Sequence, residues 1–149
     1  MTESILLSLH LLGAAIWVGG MMFALFVLRP SLAVLAPPQR LALHGEVFRR
    51  FFRLIWHAMP LVLLSGYGLL FGIYGGFAGV NPLVHVMHLT GLIMAAVFIA
   101  IFFGPWRTLQ AALAANTPAE AAAAVNRIRL LVTANLALGL LTIVVAAFA

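Results

Sequence analysis

The chain has 149 residues, 65% hydrophobic and only 7% charged, with a mean hydropathy of +1.18. A surface so poor in charge excludes an ordinary water-soluble globule and requires lipid as solvent. The absence of cysteine excludes disulfides, thiolate catalysis, Cys-ligated zinc and iron–sulfur clusters, and the net charge of +5 comes wholly from arginine, with Glu3, Glu46 and Glu120 as the only carboxylates.

The first span runs from about residue 5 to 28 and is expected to break at Arg29-Pro30. It lacks the basic flank and cleavage site of a signal peptide and reads as a retained helix. Within it His10, Gly13, Trp17, Gly20 and Ala24 are spaced by three or four residues, so one seam carries an imidazole, an indole and three small residues. An ionisable side chain at that depth must face protein, water or a bound group. After Pro37-Pro38, Gln39 to Phe52 is amphipathic, with Arg40, His44, Arg49 and Arg50 among leucines and phenylalanines. A short amphipathic interfacial helix is expected there, leading into span two.

Span two, about 53–74, contains His57, Pro60, Ser65 and Tyr67, and Pro60 is expected to kink it. Gly68, Gly72 and Gly76 repeat the small-xxx-small spacing and predict a face for a homodimer. An uncharged turn ends at Pro82, where span three begins, and it runs to about Phe103 with His85 and His88 near its start. Gly104-Pro105 predicts a bend, followed by continued helix to Asn116. Thr117-Pro118-Ala119-Glu120 spells a capping box, so the last helix starts there and crosses over about 130–148. The expectation is one domain, 1–149, all-α, an integral membrane antiparallel four-helix bundle.

All eight arginines fall between spans one and two or between spans three and four, which places both termini on the outer side. The basic balance thus reflects membrane orientation and not nucleic-acid binding. His10, His85 and His88 then enter from the same face, within about one helical turn of the same depth. Spans one and three are diagonal in an up-down bundle, so the three imidazoles are expected to converge.

A haem b suits that geometry, with His10 as one axial ligand and His85 or His88 as the other. Gly13 would leave room, and Trp17, Phe23, Phe98 and Phe102 would cover the macrocycle. The same imidazoles suit copper or zinc. His57 is remote in depth and reads as interfacial or as a ligand of a second metal site, and His44 as interfacial. Arg53, Arg107 or Arg129 would pair with a propionate or a quinone on the inner side. No span contains a carboxylate, which argues against an acidic proton relay, and any catalysis would be that of a haem-dependent membrane oxidoreductase.

Leu9-His10, Trp17-Val18-Gly19-Gly20-Met21-Met22-Phe23 and Arg29-Pro30 resemble the CopD-like family of small bacterial inner-membrane proteins. So do His85-Val86-Met87, Gly91-Leu92-Ile93-Met94, Phe98, Pro105-Trp106-Arg107, Ser65-Gly66-Tyr67 and Asn135-Leu136-Ala137-Leu138-Gly139. That resemblance implies a four-span bundle in the cytoplasmic membrane, linked by name to copper uptake or resistance. More distantly the chain is similar to the HemJ-type protoporphyrinogen oxidases, which bind haem b and use a histidine and a lysine; this sequence has no lysine. Three functions follow: a bis-histidine haem protein exchanging electrons with a quinone or redox protein, a copper-handling protein using the same histidines, and a structural or accessory subunit.

Overall fold

The computed structural model describes residues 1–149, and its regular elements are all helical. The first crossing begins as α1 (Thr2–Phe23) and continues through a π-turn (Ala24–Leu28), α2 (Arg29–Ser31) and a 3-10 turn (Leu32–Val34). Arg29-Pro30 therefore does not break the rod. The π-turn widens the helix directly before Pro30, where a regular turn would drive the proline ring into a carbonyl of the preceding turn.

α3 (Pro37–Gly72) is one helix of 36 residues. At 1.5 Å per residue it is about 54 Å long, well beyond a hydrocarbon core of about 30 Å. The expected amphipathic helix is thus not a separate element but the first part of α3 itself. Its start is held by Gln39, whose Oε1 accepts from the Ala36 N–H at 3.2 Å, with prolines at the first two helical positions. Pro60 lies inside α3 without interrupting it.

α4 (Pro82–Phe103) begins under an Asn81 cap that accepts from the Leu83 N–H at 2.9 Å. It bends into α5 (Pro105–Ala114) at Gly104, where an added Cβ would stand 2.8 Å from the Ala100 carbonyl oxygen. α6 (Pro118–Ala146) completes the bundle. Its predicted capping box is not formed: the Thr117 hydroxyl lies 3.1 Å from the Glu120 carboxylate and 3.3 Å from the Ala112 carbonyl, so the side chains bond each other and the preceding turn.

α1 packs along α3, and α4 with α5 packs along α6. Small residues set those distances. A Cβ on Gly13 would lie 2.6 Å from Val62 and 3.3 Å from the Ala58 carbonyl, and one on Gly20 would lie 2.6 Å from Phe51. At Gly139 of α6, Val18 of α1 and Met94 of α4 close in together, at 2.9 and 3.1 Å from the missing Cβ. Twenty buried residues form one continuous core. It is richest toward the arginine end, where Phe52 meets Phe98 and Trp106 edge-on at 5.9 and 5.4 Å and Trp56 meets Phe98 and Phe102 at 5.3 Å. Each such pair adds about 0.5–1.5 kcal/mol beyond its burial. Outside, Leu11, Leu12, Phe26, Leu64 and Leu130 are exposed, as a lipid-facing surface requires.

Candidate functional site

His10 is half-buried against α3. Its Nδ1–H donates to the Val62 carbonyl at 2.9 Å, and the Ser65 hydroxyl lies 3.4 Å from the same nitrogen. Gly66 makes the approach possible, since a Cβ there would stand 3.0 Å from His10 Cε1. The carbonyl fixes the tautomer, and the lone pair of the neutral ring is on Nε2.

His88 is half-buried one and a half turns further along α3, with its Nε2 3.4 Å from the Tyr67 hydroxyl and the two rings 5.2 Å apart. Phe77 joins the group: His85 stacks on it at 5.4 Å, and His88 meets it edge-on at 5.1 Å. His85 and His88 therefore flank one phenyl ring, with His85 exposed.

The expected convergence of all three imidazoles is not what the packing produces. No group of three His, Cys, Asp or Glu side chains is arranged to hold a metal ion. His10 reaches α3 at Val62 and His88 reaches it at Tyr67, five residues or about 7.5 Å along the axis. Each imidazole thus turns to α3 and not to the other, and both α1 and α3 also touch α6.

The residues expected around a macrocycle do not fit one. Trp17 and Phe98 are 3% and 2% exposed inside the continuous core, Gly13 is filled by Val62 and Ala58, and Phe23 faces outward. His57 is exposed and donates from Nδ1 to the Arg53 carbonyl of its own helix at 2.8 Å. Arg107 lies over the Phe103 ring at 4.7 Å, at the Gly104 bend.

Two polar arrangements inside the bundle were not legible as sites. Met21, Met59 and Met94, from α1, α3 and α4, are buried in one core, and Asn135 of α6 donates to the Met94 carbonyl at 3.3 Å while its Oδ1 has no partner. Next to them Thr142 donates to Thr90 at 2.7 Å. The signal in the sequence was Asn135 itself, because an amide at that depth must point into protein.

The second arrangement is at the arginine end. A cavity of about 40 Å³ lies between the π-turn, α3 and α6, with Arg29, His44, Asn126 and Arg129 as its polar lining. His44 stacks on Phe48 at 5.5 Å, and its Nδ1 is buried without a hydrogen-bond partner. Burial, and then the Arg29 charge, lower its pKa below the ordinary histidine value. Glu46, in the same stretch ahead of the crossing, is already engaged: hydrogen bonds from Arg49 and Arg50 push its pKa down to about 2. His44 shares the apolar stripe of Leu41 and Phe48, which is the pattern that separates it from a solvated interfacial histidine.

Four helical rods, each long and apolar enough to cross a membrane, with buried polar groups on their inner faces, define a multi-pass α-helical membrane protein. Residues 45–149 match the family described as Copper resistance protein D, CopD, and the chain belongs to that family. The matched stretch holds α4 and α6 whole and most of α3, and it includes His57, His85 and His88 but not His10. No curated protein and no solved structure matches the chain, and nothing in these comparisons points to the HemJ-type proteins.

Proposed function

We propose that the protein handles copper in the bacterial cytoplasmic membrane, and that His85 and His88 of α4 take the ion at the arginine-poor end. The observation that supports this most is that His85 and His88, three residues apart on α4, both lie against Phe77 within the stretch that matches the CopD family. Imidazole nitrogens bind copper in both oxidation states, and thioethers favour Cu(I). Beneath the histidine pair, Met94 on the same helix and Met59 and Met21 opposite supply soft donors inside the bundle. His10 contributes a free Nε2 at an intermediate depth, fixed in direction by Val62. The arginine-poor end is the outer side under the positive-inside rule, so copper arrives from outside the cell membrane.

The test is competition for Cu(I) between the detergent-purified protein and a colorimetric chelator, for wild type and the His85→Ala/His88→Ala variant. The expected result is one tightly bound equivalent in wild type and an affinity at least about tenfold weaker in the variant, since loss of even an outer-shell partner of a ligand costs that much. Equal affinity in both overturns the assignment of these two residues. A Soret band with sharp reduced α and β bands in the purified protein would replace copper with a low-spin haem.

A further inference from the structure

We infer that the arginine-rich end carries a site for one phosphate group, held by Arg29, His44 and Arg129 in the cavity between the π-turn, α3 and α6. This inference does not depend on copper. The lining brings two guanidiniums, an imidazole and the Asn126 amide to one small space, and no carboxylate is among its residues. The chain's ion pairs are those of Glu46 with Arg49 and Arg50, so neither Arg29 nor Arg129 has an acidic partner. Arg29 is exposed and Arg129 half-buried, so the two like charges meet at the mouth of the cavity, beside the apolar wall of Leu25, Leu28, Phe48 and Val132, and repel each other there. An oxyanion between them reverses the sign of that interaction.

His44 adds a separate argument. Its Nδ1 is buried and unpartnered, a condition that native interiors avoid and a bound acceptor or water-linked group relieves. The polar residues that line the cavity with it are Arg29 beside the π-turn and Arg129 on α6, both donors only, and Asn126 on α6, whose amide both donates and accepts. A neutral imidazole can donate to an anion without adding to the positive charge. The π-turn contributes Ala24, Leu25 and Leu28 to the wall, and such bulges recur where a helix is reshaped for a ligand.

Size selects the ligand. A single water needs roughly 10–15 Å³ of such space, so about 40 Å³ admits one small tetrahedral group and excludes a haem or a quinone ring. Arg129 lines that space. It immediately precedes Leu130, where α6 turns from charged to lipid-facing, which is headgroup depth. Bidentate guanidinium contacts favour phosphate there, either on an anionic lipid or free in the cytoplasm.

The experiment measures the melting temperature of delipidated, detergent-purified full chain with three probes: inorganic phosphate, short-chain phosphatidylglycerol and a neutral diacylglycerol of the same chains. A ligand that binds only the folded state raises the melting temperature, by about 3 °C or more at saturation. The expected result is a rise with phosphatidylglycerol that the diacylglycerol does not reproduce and that Arg29→Gln/Arg129→Gln abolishes. Arg53→Gln, outside the cavity, keeps the rise, and His44→Phe, which retains both arginines, reduces it. A rise with phosphatidylglycerol alone identifies a lipid headgroup, and an equal rise with inorganic phosphate identifies the free anion. No rise with either phosphate probe, or an undiminished rise in both cavity variants, overturns the site.

Discussion

Asn135 shows what a polar residue costs and does inside this bundle. Its side chain is 1% exposed, its amide reaches the Met94 carbonyl at 3.3 Å, and its Oδ1 is buried without a donor. One weak bond and one orphaned acceptor nearly cancel, because leaving a buried acceptor unpaired costs about 1–3 kcal/mol. Replacing Asn135 with Leu is therefore expected to change stability by no more than about 1 kcal/mol, or to raise the melting temperature, whereas Asn135→Asp buries an unpaired charge and lowers it steeply. Thermal melts of both variants in one detergent check the pair. Asn135 could be read from the sequence as inward-facing, but its partner could not. The same holds for His10: helix arithmetic gives depth, while the direction of the ring depends on which neighbour offers an acceptor. Val62 of α3 offers it, so the imidazole turns to the adjacent helix and away from the diagonal one.

At the scale of elements, spacing and punctuation residues were readable where the rule is local. Pro82 and Gly104 bound α4 at the predicted residues, and Gly104-Pro105 makes the predicted bend. Arg29-Pro30 misled because a π-turn absorbs the proline, a geometry with no sequence period of its own. The Gly68, Gly72, Gly76 repeat does not form one continuous open face within the chain: Gly68 lies against Leu6, Gly76 sits past the helix at φ +101°, and Gly72 is open. The close contact is at Gly13 instead, where the first added carbon already meets Val62 at 2.6 Å and the Ala58 carbonyl at 3.3 Å. Gly13→Leu is expected to separate α1 from α3 and cost about 1–3 kcal/mol, with His10 displaced from Val62 as a consequence. Gly72→Leu, with nothing within 4 Å, is expected to cost little. Melting temperatures of the two variants side by side are the check, and an equal effect would contradict the packing described.

The whole molecule is polar along its axis in two senses. Charge is the first: five arginines precede or open the second crossing, three lie between the third and fourth, and the turn at Gly75–Pro82 and both termini carry none. Packing is the second, since the aromatic cluster of Phe52, Trp56, Phe98, Phe102 and Trp106 closes the arginine end, while the opposite end is held by Tyr67, Phe77 and the histidines. Four apolar helices in one bundle were legible in composition and apolar segmentation, because lipid leaves helices as the simplest way to satisfy the backbone. How the four rods sit about the centre was not, since helix-to-helix contact depends on where a few glycines let backbones close. The charge asymmetry carries the prediction for the molecule as a whole. If loop arginines set orientation, a reporter that is active only outside the cytoplasm, fused after Ala149, is active, and one fused within the 115–117 turn is not. Replacing Arg49, Arg50 and Arg53 with Gln together removes three of the eight positive charges and is expected to yield a mixed population, with part of the 115–117 fusion exported. A C-terminal fusion active only inside the cell would invert the assignment, and with it the side from which the proposed copper site is reached.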